Sequence, residues 1–136
     1  GDCFIDPEIK KANDIDTAVI NMTLKNGVLA TIQNSRKAVY GYDQRIEVLG
    51  SKGTLIVGNK LLHGVIKGTK DGFTSANPKN FFIDRYKESY QIEIADFIRS
   101  LSGEAVDHAG VEDGLHALKI GLAANKSLLQ NKPIQL

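Results

Sequence analysis

Three groups of residues have the types and spacing to do chemistry. The densest is Tyr40-Gly41-Tyr42-Asp43-Gln44-Arg45, where two phenols, a carboxylate and a guanidinium surround one glycine in a loop just before a strand. The second is His108, Glu112 and His116, whose i, i+4, i+8 spacing could align three metal ligands on a helix. No H-E-x-x-H pattern accompanies them, and His108 falls before the expected helix start, so no metal site is assigned. The third is Cys3, the only cysteine. It is expected in an extended terminal segment with no sign of a depressed pKa, so it is not read as a nucleophile. No G-x-G-x-x-G follows a strand and no G-x-x-x-x-G-K-[ST] occurs, so no phosphate-cradling loop can be argued. The glycines of Val48-Leu49-Gly50-Ser51-Lys52-Gly53 sit between strands, where turn chemistry accounts for them. Remaining acids are helix-start or surface charges. The motifs therefore assign no catalytic, cofactor-binding or metal-ligating residue.

Two kinds of element must position these groups. From Asp16 to about Ser75 the pattern alternates, and from about Asn80 to Gln130 it is helical. Ala18, Ile20, Met22 and Leu24 share one side of the first strand, and Asn26-Gly27 is a strong hairpin signal. The return strand runs Val28 to Ser35. Gln44–Gly50 and Thr54–Gly58 are predicted to pair around Ser51-Lys52-Gly53, and a weaker pair surrounds Gly68–Gly72. Phe82, Tyr86, Tyr90, Ile94, Phe97, Ile98 and Leu101 recur at helical spacing, with Gly103 as a stop. Tyr86 and Tyr90 are thus expected in the core. A second helix is predicted from Gly110, with Glu112 and Asp113 favourable to its dipole, and Lys132–Leu136 is read as a final short strand. Strands followed by helices predict an α+β fold: an open-faced, mostly antiparallel β-sheet with helices packed on one face. Val19, Leu29, Leu49, Leu55 and Val57 fall on the opposite face; an apolar second face predicts sheet-mediated contact between subunits, with a one-residue register slip, which would exchange the faces, as the alternative.

Composition bounds the rest. The chain has 136 residues and a formal net charge of +1, enough for one domain but short for a cofactor-plus-substrate enzyme. No basic run points to nucleic acid, no apolar run is long enough to span a membrane, and one cysteine fits a reducing, cytoplasmic compartment. The chain opens Gly1-Asp2-Cys3 and its only methionine is Met22, which fits a processed or cloned chain or the back end of something longer.

Asp16-Thr17-Ala18, Asn34-Ser35-Arg36 and Tyr40-Gly41-Tyr42-Asp43-Gln44-Arg45 are the residues on which the chain resembles the C-terminal domain of inositol 2-dehydrogenase-type members of the Gfo/Idh/MocA oxidoreductase family. The helical segments resemble that domain's closing helices more loosely. The resemblance implies a two-domain enzyme: an N-terminal Rossmann domain binding NAD, and residues 1–136 as a single substrate and oligomerisation domain building a homodimer or homotetramer. It places the family's catalytic lysine in a Glu-Lys-Pro motif, and its aspartate and histidine in an Asp-x-x-x-His helix. Neither motif occurs here, so no catalytic residue is carried over and these residues alone are expected to be inactive. The Tyr-Gly-Tyr-Asp loop is implied to lie near a cyclitol or sugar, with Tyr42 the first substrate-contacting hydroxyl and Tyr40 the second. A phenol donates to and accepts from a sugar hydroxyl while its ring packs on C–H faces. Asp43 and Arg45 are expected to orient the loop or pair at the surface. The alternatives are a non-catalytic carbohydrate-binding or sensory relative, and a standalone sheet-dimerisation module with a start codon just before Gly1. NAD or NADP is not distinguished.

Overall fold

A computed structural model describes all 136 residues. Nine elements follow one another: α1 (Pro7–Lys11), β1 (Thr17–Thr23), β2 (Leu29–Ser35), β3 (Ile46–Gly50), β4 (Gly53–Val57), β5 (Ile66–Thr69), β6 (Gly72–Ser75), α2 (Phe82–Leu101) and α3 (Val111–Gln130). The α+β class and the antiparallel pairing expected from the sequence both hold. The strands form three two-stranded ladders, β1–β2, β3–β4 and β5–β6. The chain divides into two compact units, Gly1–Lys37 with Val106–Leu136, and Ala38–Ala105.

In the first unit, β1 and β2 pair with Ile20 opposite Ile32 and Met22 opposite Ala30. Ala18, Ile20 and Met22 are half-buried whereas Val19 is exposed, as the alternation predicts. The hairpin turn differs in detail. Leu24 and Val28 close a three-residue loop in which only Gly27 has positive φ (82°). Asn26 instead accepts the Val28 N–H with its side chain at 3.3 Å, so one left-handed residue suffices.

The segment before β1 is not simply extended. Asp6 caps α1 by accepting the Glu8 N–H, and Pro7 opens the helix where its missing N–H costs nothing. Asp16, only 3% exposed, then gathers this segment. Its carboxylate accepts from the Phe4, Ile5 and Asp6 amides at 3.0, 2.7 and 2.9 Å, and from the Thr17 hydroxyl at 2.9 Å. α3 starts with the Asp113 carboxylate accepting the Gly110 N–H at 2.8 Å and ends at Asn131 in left-handed conformation. The expected strand Lys132–Leu136 does not form. Lys132 folds back instead, donating to Ser127 O at 3.3 Å and accepting from its hydroxyl at 2.8 Å, and Pro133 has no N–H to offer a ladder.

In the second unit, β3 and β4 turn at Ser51-Lys52 with Gly50 opposite Gly53 and Val48 opposite Leu55. β5 and β6 place Phe73 opposite Gly68, where a Cβ would meet the Phe73 ring at 2.9 Å. α2 stops at Ser102 and Gly103, as the glycine predicts, with Arg99 paired to Asp96 and Glu104. No hydrophobic residue in the chain is fully buried: the two most buried side chains are Asp16 and Arg85 (8%), both charged. Tyr86, expected in the core, is half-buried, and Tyr90 is exposed.

Burial pushes the Asp16 carboxyl up, but its amide donors and the Cys3 thiol outweigh this and hold it well below the ordinary range. A lowered native pKa contributes stability above the unfolded value near 4 and loses it as the pH falls further. Asp16→Asn is therefore expected to lower the melting temperature at neutral pH. The gap between wild type and variant should narrow below about pH 4, measured by thermal unfolding across that range. An equal gap at all pH values would remove the ionised carboxylate as the cause.

Candidate functional site

The Tyr40–Arg45 loop is fixed first through its backbone. Tyr42 N–H donates to Lys79 O at 2.8 Å, Lys79 N–H donates to Lys60 O at 3.0 Å, and Leu61 bridges Pro78. Three segments of the second unit are thereby tied side by side. Gly41 permits the approach: its φ is +133°, and a Cβ there would lie 2.7 Å from Pro78 O.

The loop's polar side chains converge on Asp43. Arg45 grips its carboxylate with two parallel bonds, Nε at 2.8 Å and Nη2 at 2.9 Å. The Tyr40 hydroxyl donates to the same carboxylate. Asn59, just after β4, donates to it at 2.7 Å while its own oxygen accepts the Gln44 N–H at 2.8 Å. The Arg45, Tyr40 and Asn59 donors lower the Asp43 carboxyl to about 2. The reciprocal bond to Asp43, with some burial, raises the Tyr40 phenol. Tyr40 therefore has its hydroxyl committed to a carboxylate, whereas no carboxylate holds Tyr42.

Tyr42 is held by aromatic contact. Its ring meets Tyr86 of α2 edge-on, with centroids 5.8 Å apart at 84°, and Tyr86 continues to Tyr90 at 6.3 Å. Burial, then a side-chain hydrogen bond with Tyr42, raises the Tyr86 hydroxyl. The result is a loop with its backbone and carboxylate fixed, Tyr42 half-buried against α2 and Tyr40 exposed.

Other candidates lie elsewhere. Asn34 and Arg36 close the β1–β2 ladder beside Asp16 and make no side-chain ion pair. The Cys3 thiol donates to Asp16 at 3.2 Å and to Asp6 O at 3.0 Å, and burial with the neighbouring carboxylate raises its pKa, which disfavours the nucleophilic thiolate. His108 precedes α3, its Nδ1 within 3.1 Å of Val106 O. Asn59 and Arg85 escape sequence reasoning: the first follows a strand without periodic signal, and the second reads as an ordinary helical charge.

Gly41→Ala should cost both backbone strain and a clash, whereas Gly53→Ala, at φ +145° with open space around it, should cost strain alone. Thermal or urea unfolding should show Gly41→Ala less stable than Gly53→Ala by at least ~1 kcal/mol. Equal losses would mean the loop yields without strain. Because Asp43 ionises near 2, below its unfolded value, its clasp is present above about pH 4 and lost as the pH falls toward 2. The destabilisation by Asp43→Asn should accordingly be constant between about pH 5 and 8, in unfolding experiments across that window.

Known proteins place this geometry in a family. Residues 5–136 match the Gfo/Idh/MocA family model described as "Oxidoreductase family, C-terminal alpha/beta domain". The myo-inositol 2-dehydrogenase of Thermotoga maritima is 44% identical over 137 residues, covering 100% of this chain and 41% of the relative. The inositol 2-dehydrogenase of Rhizobium meliloti is 39% identical over 133 residues, 98% of this chain and 40% of its own length. The crystal structure of a putative myo-inositol dehydrogenase from Sinorhizobium meliloti superposes with a TM-score of 0.93 at 38% identity, covering 98% of this chain and 41% of the other. The chain thus spans about two fifths of the length of these relatives. On its sequence, its fold and its extent, the chain belongs to the Gfo/Idh/MocA oxidoreductase family and corresponds to that family's C-terminal α/β domain.

Proposed function

We propose that the chain is the substrate-side and assembly domain of a cytoplasmic NAD-dependent dehydrogenase of the inositol 2-dehydrogenase type, which oxidises a hydroxyl of a cyclitol or sugar. The observation that carries this is the division of labour in the Tyr40–Arg45 loop, within a family whose relatives are named for inositol oxidation. Tyr40, Arg45 and Asn59 are engaged in holding Asp43, whereas the half-buried Tyr42 phenol, beside the Tyr86 hydroxyl, stands outside that clasp and is assigned to the ligand. Its hydroxyl can donate to one substrate oxygen and accept from another, while the ring covers C–H groups. That contact selects and orients a polyol; it moves no proton in the reaction.

No glycine-rich turn joins a strand to a helix here, so no residue of the chain is assigned to the dinucleotide. NAD, bound by a Rossmann domain in the full-length protein, supplies the hydride acceptor. The domain's second role is assembly. Leu55, 72% exposed, shares one face of β3–β4 with Val48, while Leu49, 85% exposed, falls on the other; the face of Val48 and Leu55 is apolar surface that a homodimer or homotetramer would cover.

The full-length protein should reduce NAD or NADP in the presence of one or more inositols or sugars from a panel, and residues 1–136 alone should not. Saturable sugar binding without turnover by the full-length protein would favour a carbohydrate-binding relative instead. Tyr42→Phe in the active enzyme should raise KM about five- to tenfold, the effect of losing one hydrogen bond to a bound hydroxyl. Unchanged steady-state kinetics would remove Tyr42 from the site.

A further inference from the structure

Arg85 is the most buried side chain of its unit, and it lacks what a buried cation ordinarily has. No carboxylate lies within ion-pair distance, Nη2 reaches Gly58 O only at 3.5 Å, and the buried Nε has no hydrogen-bond partner. The group its charge does face is an aromatic ring: the guanidinium carbon sits 5.5 Å from the centroid of Tyr86. Tyr86 in turn presents its ring to Tyr42 at 5.8 Å, nearly perpendicular. Guanidinium, helix tyrosine and loop tyrosine thus form a continuous row.

The backbone of Tyr42 is pinned by its bond to Lys79 O, but that bond fixes neither side-chain torsion. A turn of about 30° about the first torsion would swing a phenol oxygen by roughly 2–3 Å, more than a hydrogen bond tolerates. The side chain therefore needs its own constraint, and the Tyr86 ring is the aromatic surface that supplies it. We propose that Tyr86, braced by the buried Arg85 guanidinium, is a positioning residue that fixes the Tyr42 phenol for contact with a substrate hydroxyl and so sets affinity for the polyol. The proposal rests on the dehydrogenase reading above. The cation–π contact gives the arginine, which has no carboxylate partner, a role in the first turns of α2: its charge faces the ring that holds Tyr42.

The test uses the full-length enzyme and the inositol or sugar it turns over best. Tyr86→Leu removes the ring and should raise KM about tenfold with kcat within about twofold, whereas Tyr86→Phe keeps the edge-on contact and should restore KM to within about twofold of wild type. A loss of folded enzyme would instead lower kcat per mole of protein and leave KM unchanged. In the Tyr42→Phe background, Tyr86→Leu should add no further rise in KM, because the two residues act through one hydroxyl. Wild-type KM in Tyr86→Leu, or full additivity with Tyr42→Phe, would overturn the positioning role while leaving the dehydrogenase reading intact. If Tyr86→Leu does not fold, ring-proton cross-relaxation between Tyr42 and Tyr86 in wild-type enzyme decides: its presence, together with a several-fold rise in KM for Arg85→Met, supports the role, and its absence refutes it. A wild-type enzyme that oxidises nothing in the panel overturns the functional reading, and the positioning role with it.

Discussion

Four donor groups from three residues converge on one carboxylate in the loop before β3, and the candidate site depends on that convergence. Asp43 is held by a guanidinium two positions ahead, a phenol three positions behind and an amide from the far end of the next hairpin. The last of these matters most for architecture. Asn59 accepts the Gln44 amide while donating to Asp43, so the entry to β3 and the exit from β4 share one side chain. Loosening the carboxylate would free the loop and the mouth of the hairpin together.

Asp16 solves the same problem in the other unit by other means. It takes three successive backbone amides instead of side-chain cations, a nest-like arrangement that needs no opposite charge. In both places a polar clasp orders a segment that hydrophobic packing does not. This fits a chain in which no apolar side chain is fully buried and the most enclosed residues are an aspartate and an arginine. Local ladders and clasps set local geometry, and they do so where burial supplies little restraint.

The repeating parts of the fold were legible because period and turn chemistry are local. Alternation through Ala18, Ile20 and Met22 located β1, the three- and four-residue spacing from Phe82 located α2, and Gly103 marked its end. What failed was local too, but depended on choosing between competing signals. Asp6-Pro7-Glu8 carries a helix start in a segment whose pattern predicts extended chain, because α1 is too short to show a period. Lys132–Leu136 has strand-like composition, yet the left-handed turn at Asn131 spends its first amide on the helix end. The family resemblance ranks Tyr42 above Tyr40, but composition and spacing give no physical reason, because two phenols one residue apart are chemically alike in a sequence. Only the position of the Asp43 carboxylate tells the engaged one from the other, and the row from Arg85 to Tyr42 crosses a gap in sequence that no spacing rule spans.

The β3–β4 hairpin carries one further implication. Each of its strands is paired on one side only, so both outer edges present unmatched amides and carbonyls beside largely exposed Ile46, Val48, Leu49, Leu55 and Ile56. Such an edge is a template for indiscriminate strand addition, and few charges stand guard: Arg45 just before β3, Glu47 within it and Lys52 at the turn. During synthesis these segments emerge before the helices that follow them. Until those edges are covered, the few charged positions of this hairpin are what oppose strand addition, a role their own contacts do not show.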